Sequence, residues 1–278
     1  MIRFKLACYA AFSTRAAGNY ALKLFLTPVR NLPKKTPLIF KEAEKIELTL
    51  DAQRLVGYRW NHPQKKKVMI LHGFSSTIMK FDHFVMPLIR QGYEVIAIDA
   101  PAHGKSTGKQ TTVLEYKAMI EKVHKTLGPI DAFVAHSFGG LALSLFLEHL
   151  PDQENMKAVL IAPATETSTA IQTFCRFLKI DEKVKHQMEE LIFERSGIKA
   201  EDFSVSRVAS KIKANVLWIH DEDDEITPLS DALRIKNSNY PNFKFMITKE
   251  LGHRKIYRDN NVKKAVFEFL NPVGMQQI

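Results

Sequence analysis

The chain has 278 residues, 45% apolar and 25% charged, a composition that excludes disordered, collagen-like and coiled-coil classes. It holds no run of 18 apolar residues that could form a bilayer-crossing helix. Two cysteines, Cys8 and Cys175, are too few for a disulfide framework or a four-cysteine zinc site, so a reducing compartment, the cytoplasm, is the expected location. The net charge of +10 would by itself suggest nucleic acid or an anionic membrane as partner. Its distribution confines that reading to the amino-terminal arm: residues 1–67 hold 14 lysines and arginines against four acids, while the other 211 residues carry 26 of each sign and are neutral.

That basic arm opens with apolar residues Ile2, Leu6, Tyr9, Phe12, Ala16, Tyr20 and Leu24 at spacings near three and four, which predicts one helix over Met1–Leu26, closed by Pro28. Three readings of it stand. It is a helix docked on the body, a membrane-surface anchor using residues 1–35, or a signal peptide whose apolar stretch Leu6–Phe12 is at the minimum length. Pro28, Pro33 and Pro37 predict an extended linker, so residues 1–45 read as a basic helix with a proline-containing linker and 46–278 as the domain that follows.

From residue 46 the texture is strand-like. Lys45–Leu50 and Arg54–Trp60 flank Asp51-Ala52-Gln53 as a hairpin. Short, continuously apolar runs then recur at Val68–Leu71, Glu94–Ile98, Ala132–Ala135, Ala158–Ala162 and Asn215–Ile219, with Lys244–Thr248 a weaker sixth. Such runs suit strands buried on both faces. Helical stretches at Phe81–Gln91, Val113–Leu127, Phe138–Leu150, Leu229–Lys236 and Val262–Leu270 alternate with them, which predicts βαβ units and a mostly parallel sheet with helices on both faces. Chemistry in such sheets gathers at the carboxyl ends of the strands.

Several strand-end loops are distinctive. Ala135-His136-Ser137-Phe138-Gly139-Gly140 is a strand, a sharp turn with serine at its apex, and a helix, with small residues two before and two after the serine. Leu71-His72-Gly73-Phe74 and Asp99-Ala100-Pro101-Ala102-His103-Gly104-Lys105-Ser106 follow earlier strands. Gly104-Lys105-Ser106 ends like a phosphate-binding loop, but Asp99 stands where that motif needs glycine. His220-Asp221-Glu222-Asp223-Asp224-Glu225-Ile226-Thr227-Pro228 follows Asn215–Ile219. Read as a calcium loop it fails, with Ile226 at the glycine position and Ala232 at the bidentate glutamate, so its extra carboxylates read as solvated charge. Leu251-Gly252-His253-Arg254 follows the last strand.

Together these segments resemble the α/β-hydrolase superfamily over residues 46–271, in its serine esterase, monoacylglycerol-lipase or serine-aminopeptidase branch. The resemblance implies Ser137 as nucleophile, Asp224 as acid and His253 as base, in the required chain order. Asp221 and Thr227 depart from the glycine and valine of the family's acid segment, which keeps Asp223 in view as the acid. By the same resemblance the backbone N–H groups of Phe74 and Phe138 form the oxyanion hole, and His72 holds its loop. A serine at the elbow argues against epoxide hydrolases and haloalkane dehalogenases, which place aspartate there.

The implied fold is an α/β-hydrolase with a small helical cap at about 163–212. The implied function is hydrolysis of a carboxylic ester, with a lipid or medium-chain acyl ester as a candidate, through an acyl-enzyme; an aminopeptidase or thioesterase of the same superfamily, or a silent binding protein, are the alternatives. An aminopeptidase would need an acidic pocket, for which Glu166, Glu189 and Glu190 are candidates. No cofactor, metal or nucleic acid is expected, and the partner is a small acyl substrate. Apolar cap residues Phe174, Phe177 and Leu178, with Phe81 beyond the oxyanion turn, are candidates to line an acyl pocket; the competing reading is that the cap stripes only pack.

Overall fold

Apolar runs flanked by turn residues become the eight strands of one sheet. The computed structural model describes residues 2–30 and 32–271; Met1, Asn31 and residues 272–278, which the predicted arm and domain include, lie outside the described residues. Strands β1 (Glu44–Leu50) and β2 (Gln53–Trp60) form the predicted hairpin, with Leu50 opposite Gln53 and Asp51 at φ 49° in the turn. They are followed by β3 (Lys67–Leu71), β4 (Glu94–Ile98), β5 (Ala132–His136), β6 (Lys157–Ile161), β7 (Asn215–Asp221) and β8 (Phe243–Thr248). The spatial order is β1-β2-β4-β3-β5-β6-β7-β8. β2 pairs antiparallel with β1 and β4, and every other pairing is parallel.

Strand periodicity divides the core between the two faces of the sheet. Met69, Leu71, Ile96, Phe133 and Ala135 join one cluster, and Val68, Ile70, Val95, Ala132 and Val134 the other. The arm contributes helices α1 (Ile2–Phe12) and α2 (Thr14–Phe25), and the body then supplies α3 (Asp82–Arg90), α4 (Val113–Leu127) and α5 (Phe138–Leu147). An insertion after β6 carries α6 (Thr167–Leu178), α7 (Glu182–Ser196) and the short α8 (Val205–Val208). The chain finishes with α9 (Leu229–Asn237), the one-turn α10 (Gly252–Lys255) and α11 (Asn260–Leu270). Helices α4 and α5 cover the first face through Tyr116, Met119, Val123 and Phe146, and α3 and α11 cover the second through Phe84, Leu88, Val262 and Val266. Each of these side chains, fully buried, stabilises the fold by about 1.5–3 kcal/mol relative to exposure.

The single arm helix expected over Met1–Leu26 is two. Ser13 breaks it by N-capping α2, accepting from the Ala16 N–H at 3.3 Å. The arm packs on the body. Ala17, Ala21 and Leu22 are buried against Ile171, Cys175, Val184, Met188 and Leu191 of α6 and α7. Gly18 permits this approach, because a Cβ there would lie 2.7 Å from Gln187 Cγ. Arg15 adds a bidentate pair with Glu194 on the surface. Beyond α2 the chain runs to the strand-end rim: Val29 N–H donates to Ser75 Oγ at 2.9 Å, and Arg30 Nη2 donates to the carbonyls of Ser106 and Gly108.

Candidate active site

At the end of β5 the backbone turns into α5 through Ser137, held at φ 53° and ψ −120°. A non-glycine residue in this region is strained, and the surroundings over-determine it. Ser137 N–H donates to Ile161 O on β6, and Ser137 O accepts from Ala164, Gly140 and Leu141 N–H. The need for small flanking residues is steric: a Cβ on Gly139 would lie 2.7 Å from His72 O and 3.0 Å from Leu71 Cβ.

Ser137 Oγ donates to His253 Nε2 at 2.9 Å, and His253 Nδ1–H donates to Asp224 Oδ2 at 2.8 Å. The three residues predicted as nucleophile, base and acid thus form one hydrogen-bonded line, although 116 and 29 positions separate successive members along the chain. Asp224 is buried. Burial pushes its carboxyl pKa up, but bonds from His253 and from the Thr227 hydroxyl and N–H outweigh this and lower it. Ile226 N–H supplies a further bond to Asp224 Oδ1 at 2.9 Å. Thr227 Oγ1 also lies 3.1 Å from His253 Nδ1, so the residue replacing the family's valine touches both Asp224 and His253. His220 Nε2–H donates to Thr227 O, and Trp218 Nε1–H to His220 Nδ1, which pins the segment to β7.

Asp223, the alternative acid, accepts from Glu250 N–H and is not part of the line. Asp221 corrects the expectation of solvated charge. Its side chain is fully buried: Oδ1 accepts from Gly252 N–H at 2.8 Å and Asp223 N–H at 3.1 Å, and Oδ2 from Thr248 Oγ1 at 2.7 Å and Leu251 N–H at 3.2 Å. The aspartate in the glycine position therefore latches the loop that carries His253. Burial would raise its pKa, but these four donors hold it below the ordinary range. Sequence reasoning missed this because three of the four donors, Thr248, Leu251 and Gly252, come from 27 to 31 residues away.

Phe74 and Phe138, predicted to supply the oxyanion donors, pack ring edge to ring face at 5.5 Å. Phe138 opens α5, so its N–H has no intrahelical acceptor. Gly73, before Phe74, lies so close to the elbow that a Cβ would meet Ser137 Cβ at 3.0 Å. Two neutral histidines shape this turn. His72 Nδ1–H donates to Gly73 O and Nε2 accepts from Ala100 N–H; burial lowers its pKa to about 4. His103, from the Asp99–Ser106 loop, accepts from Ser75 N–H through Nε2 and donates to Pro101 O through Nδ1, and burial lowers its pKa to about 3. Asp99 accepts from the Thr77 hydroxyl and the N–H groups of Ile78 and Lys105, so that loop acts as scaffold.

His136, just before the serine, donates from Nε2 to the carbonyl of His253 at 3.0 Å. Burial lowers its pKa to about 3, so it stays neutral, and its Nδ1 finds no hydrogen-bond partner among the described residues. Its ring packs on Tyr257, and Phe81 stacks on Tyr257 in turn at 4.8 Å. Phe81 is therefore buried support behind His136 and Tyr257. The other predicted pocket residues go elsewhere. Phe174 packs edge to face on Phe25 of α2, Leu178 joins the cluster around Leu6 and Val184, and Phe177 is 72% exposed. The arm claims the stripe that sequence reasoning offered to substrate.

Curated relatives of the chain include the uncharacterized hydrolase YugF of Bacillus subtilis, 30% identical over 105 residues, 36% of this chain and 38% of that protein. The chain thus spans well under half the length of that relative. The uncharacterized protein YqkD of the same organism is 22% identical over 76% of this chain and 72% of its own. Among solved structures, the Pyrococcus furiosus esterase Pf2001 superposes with a TM-score of 0.65 at 23% identity, covering 88% of this chain and 98% of that one. The Paleococcus ferrophilus monoacylglycerol lipase gives 0.60 at 22% identity, covering 78% and 98%. The sheet order and these superpositions make the fold an α/β-hydrolase fold. The serine aminopeptidase S33 family profile matches residues 62–204, just over half of the chain and including the elbow, so the protein is a member of that α/β-hydrolase family.

Proposed function

We propose that the protein is a serine hydrolase that cleaves carboxylic esters through an acyl-enzyme on Ser137. The observation that carries this is the line Ser137 Oγ, His253 Nε2, His253 Nδ1, Asp224 Oδ2, with both hydrogen bonds below 3 Å. Neutral serine is a weak nucleophile. His253 Nε2 takes its proton as Oγ attacks the acyl carbon, and Asp224 stabilises the imidazolium through Nδ1–H. The carbonyl π pair moves onto oxygen, where the N–H groups of Phe74 and Phe138 receive it, each worth about 10²–10³ in rate. Collapse of this intermediate expels the alkoxide, which takes the proton from His253. Water then attacks the acyl-enzyme with His253 again as base, releasing the acid and regenerating the Ser137 hydroxyl.

The family's name makes an amine-bearing substrate the second reading. Of the three acids that could hold an amine, Glu189 is near Lys185 and Glu190 near His186 and Gln187 on α7. Glu166 is buried and bonded to the Ser206 hydroxyl, two residues beyond Ala164, whose N–H bonds Ser137 O. The test is fluorophosphonate labelling followed by parallel assays on p-nitrophenyl esters of increasing chain length and on aminoacyl p-nitroanilides. Ser137 should label, Ser137→Ala should lose both labelling and ester turnover, and the esters should be the better substrates. An unlabelled, inactive native protein refutes the hydrolase reading; preference for the anilides, lost in Glu166→Gln, selects the peptidase.

A further inference from the structure

Helix α1 is apolar on most sides; Arg3 and Lys5 are its only charges. Leu6 is buried against the cluster formed with α2, α6 and α7. Away from that contact, Phe4, Cys8 and Phe12 stack at four-residue spacing, with Lys5 on the same face. Phe4 is 73% and Phe12 93% exposed, and Ile2 and Tyr9 are also open to solvent. Exposed Phe177 adjoins the start of α1, because Arg3 Nη2 donates to its carbonyl at 2.7 Å. An apolar patch with no covering side chains marks a contact surface. It is presented rigidly, since α2 is packed on α7 and tied by Arg15–Glu194.

Charge selects the occupant. The first 41 residues hold eight lysines and arginines and no acid. A second copy of the chain would bring the same positive arm face to face with this one. An anionic lipid surface offers the complement to both features, acyl chains for the rings and phosphates for the cations. We propose that α1 seats the protein on an anionic lipid surface, with Phe4, Phe12 and Phe177 entering the boundary between headgroups and acyl chains. The seat is independent of the hydrolytic reading, and its test measures binding alone.

Full-length protein is sedimented with vesicles of phosphatidylcholine and with vesicles of equal parts phosphatidylcholine and phosphatidylglycerol. The mixed vesicles should bind it at least about tenfold better, since each near-surface cation strengthens partitioning about fivefold. Phe4→Ser with Phe12→Ser should weaken that binding about tenfold or more without lowering Tm, both rings being exposed in the native protein. Phe12→Trp gives a second readout. Native Trp60 and Trp218 are buried, so a blue shift of emission on mixed vesicles reports entry of residue 12. The proposal is overturned by failure of the native protein to bind mixed vesicles, by undiminished binding of the double serine variant, by an unshifted emission spectrum of the Phe12→Trp variant, or by a native dimer that the double variant turns to monomer.

Discussion

Replacing Asp221 by asparagine exchanges one carboxylate oxygen for an amide NH2 at nearly constant volume. Four donors converge on that carboxylate: the N–H groups of Gly252, Asp223 and Leu251, and the Thr248 hydroxyl. With the NH2 in the Oδ2 position, the threonine hydroxyl can turn to accept, but Leu251 N–H is left facing a donor. With the NH2 in the Oδ1 position, two N–H groups are stranded. The first arrangement is therefore adopted, leaving one unsatisfied N–H and three bonds that have lost their charge assistance. The cost is about 2–4 kcal/mol, or a Tm lower by about 5–10 °C. The stranded N–H, on Leu251, lies two residues before His253, so His253 loosens relative to Ser137, and misplacement on the ångström scale costs about 10–100-fold in kcat. KM for p-nitrophenyl acetate should change little. The checks are steady-state kinetics and thermal unfolding of the same preparations. A variant with the expected loss of Tm but kcat within a factor of about two of native would refute the claim that this latch positions the base.

Gly139→Ala should remove activity by forcing the elbow away from His72 O, at a cost of about 1–3 kcal/mol; native-like fluorophosphonate labelling of a folded Gly139→Ala protein would contradict this. Acid should destabilise the fold well before carboxylates titrate. His72, His103 and His136 are held neutral in the folded state with pKa values of about 4, 3 and 3, whereas the unfolded chain protonates them near pH 6.5. Their contribution is complete above about pH 6.5 and declines as pH falls toward the folded values. With all three counted the slope approaches about 4 kcal/mol per pH unit. Denaturant titrations at pH 7, 6 and 5 measure it, and equal midpoints at all three would show that these rings are not buried and neutral.

Elements whose signals are local were legible in the sequence. Glu94–Ile98 and Val113–Leu127 have the predicted ends, the latter because Thr112 and Glu115 form a capping box and Gly128 follows the last turn. The elbow was legible because its glycine requirement is steric and short-ranged. What failed depended on contacts between distant segments. The helical stripe of Phe174 and Leu178 carried no sign that its partner would be the arm some 150 residues earlier. Asp221 looked like its exposed neighbours Glu222 and Glu225 because burial is not written in residue type. The break at Ser13 did have a local signal, a good N-cap residue, but the apolar spacing ran through it undisturbed.

The arm's last bonds bear on how this protein can be dissected. Val29 grips Ser75, the residue after the proposed oxyanion donor, and Arg30 holds two carbonyls of the scaffold loop that steadies the same turn. Trimming the chain to start at its first strand would leave Ser75 Oγ and those carbonyls to water and free the turn on one side. A shortened protein would then report altered kinetics even with every reacting group intact, so the terminal segment is best altered at its outward-facing rings and left in place.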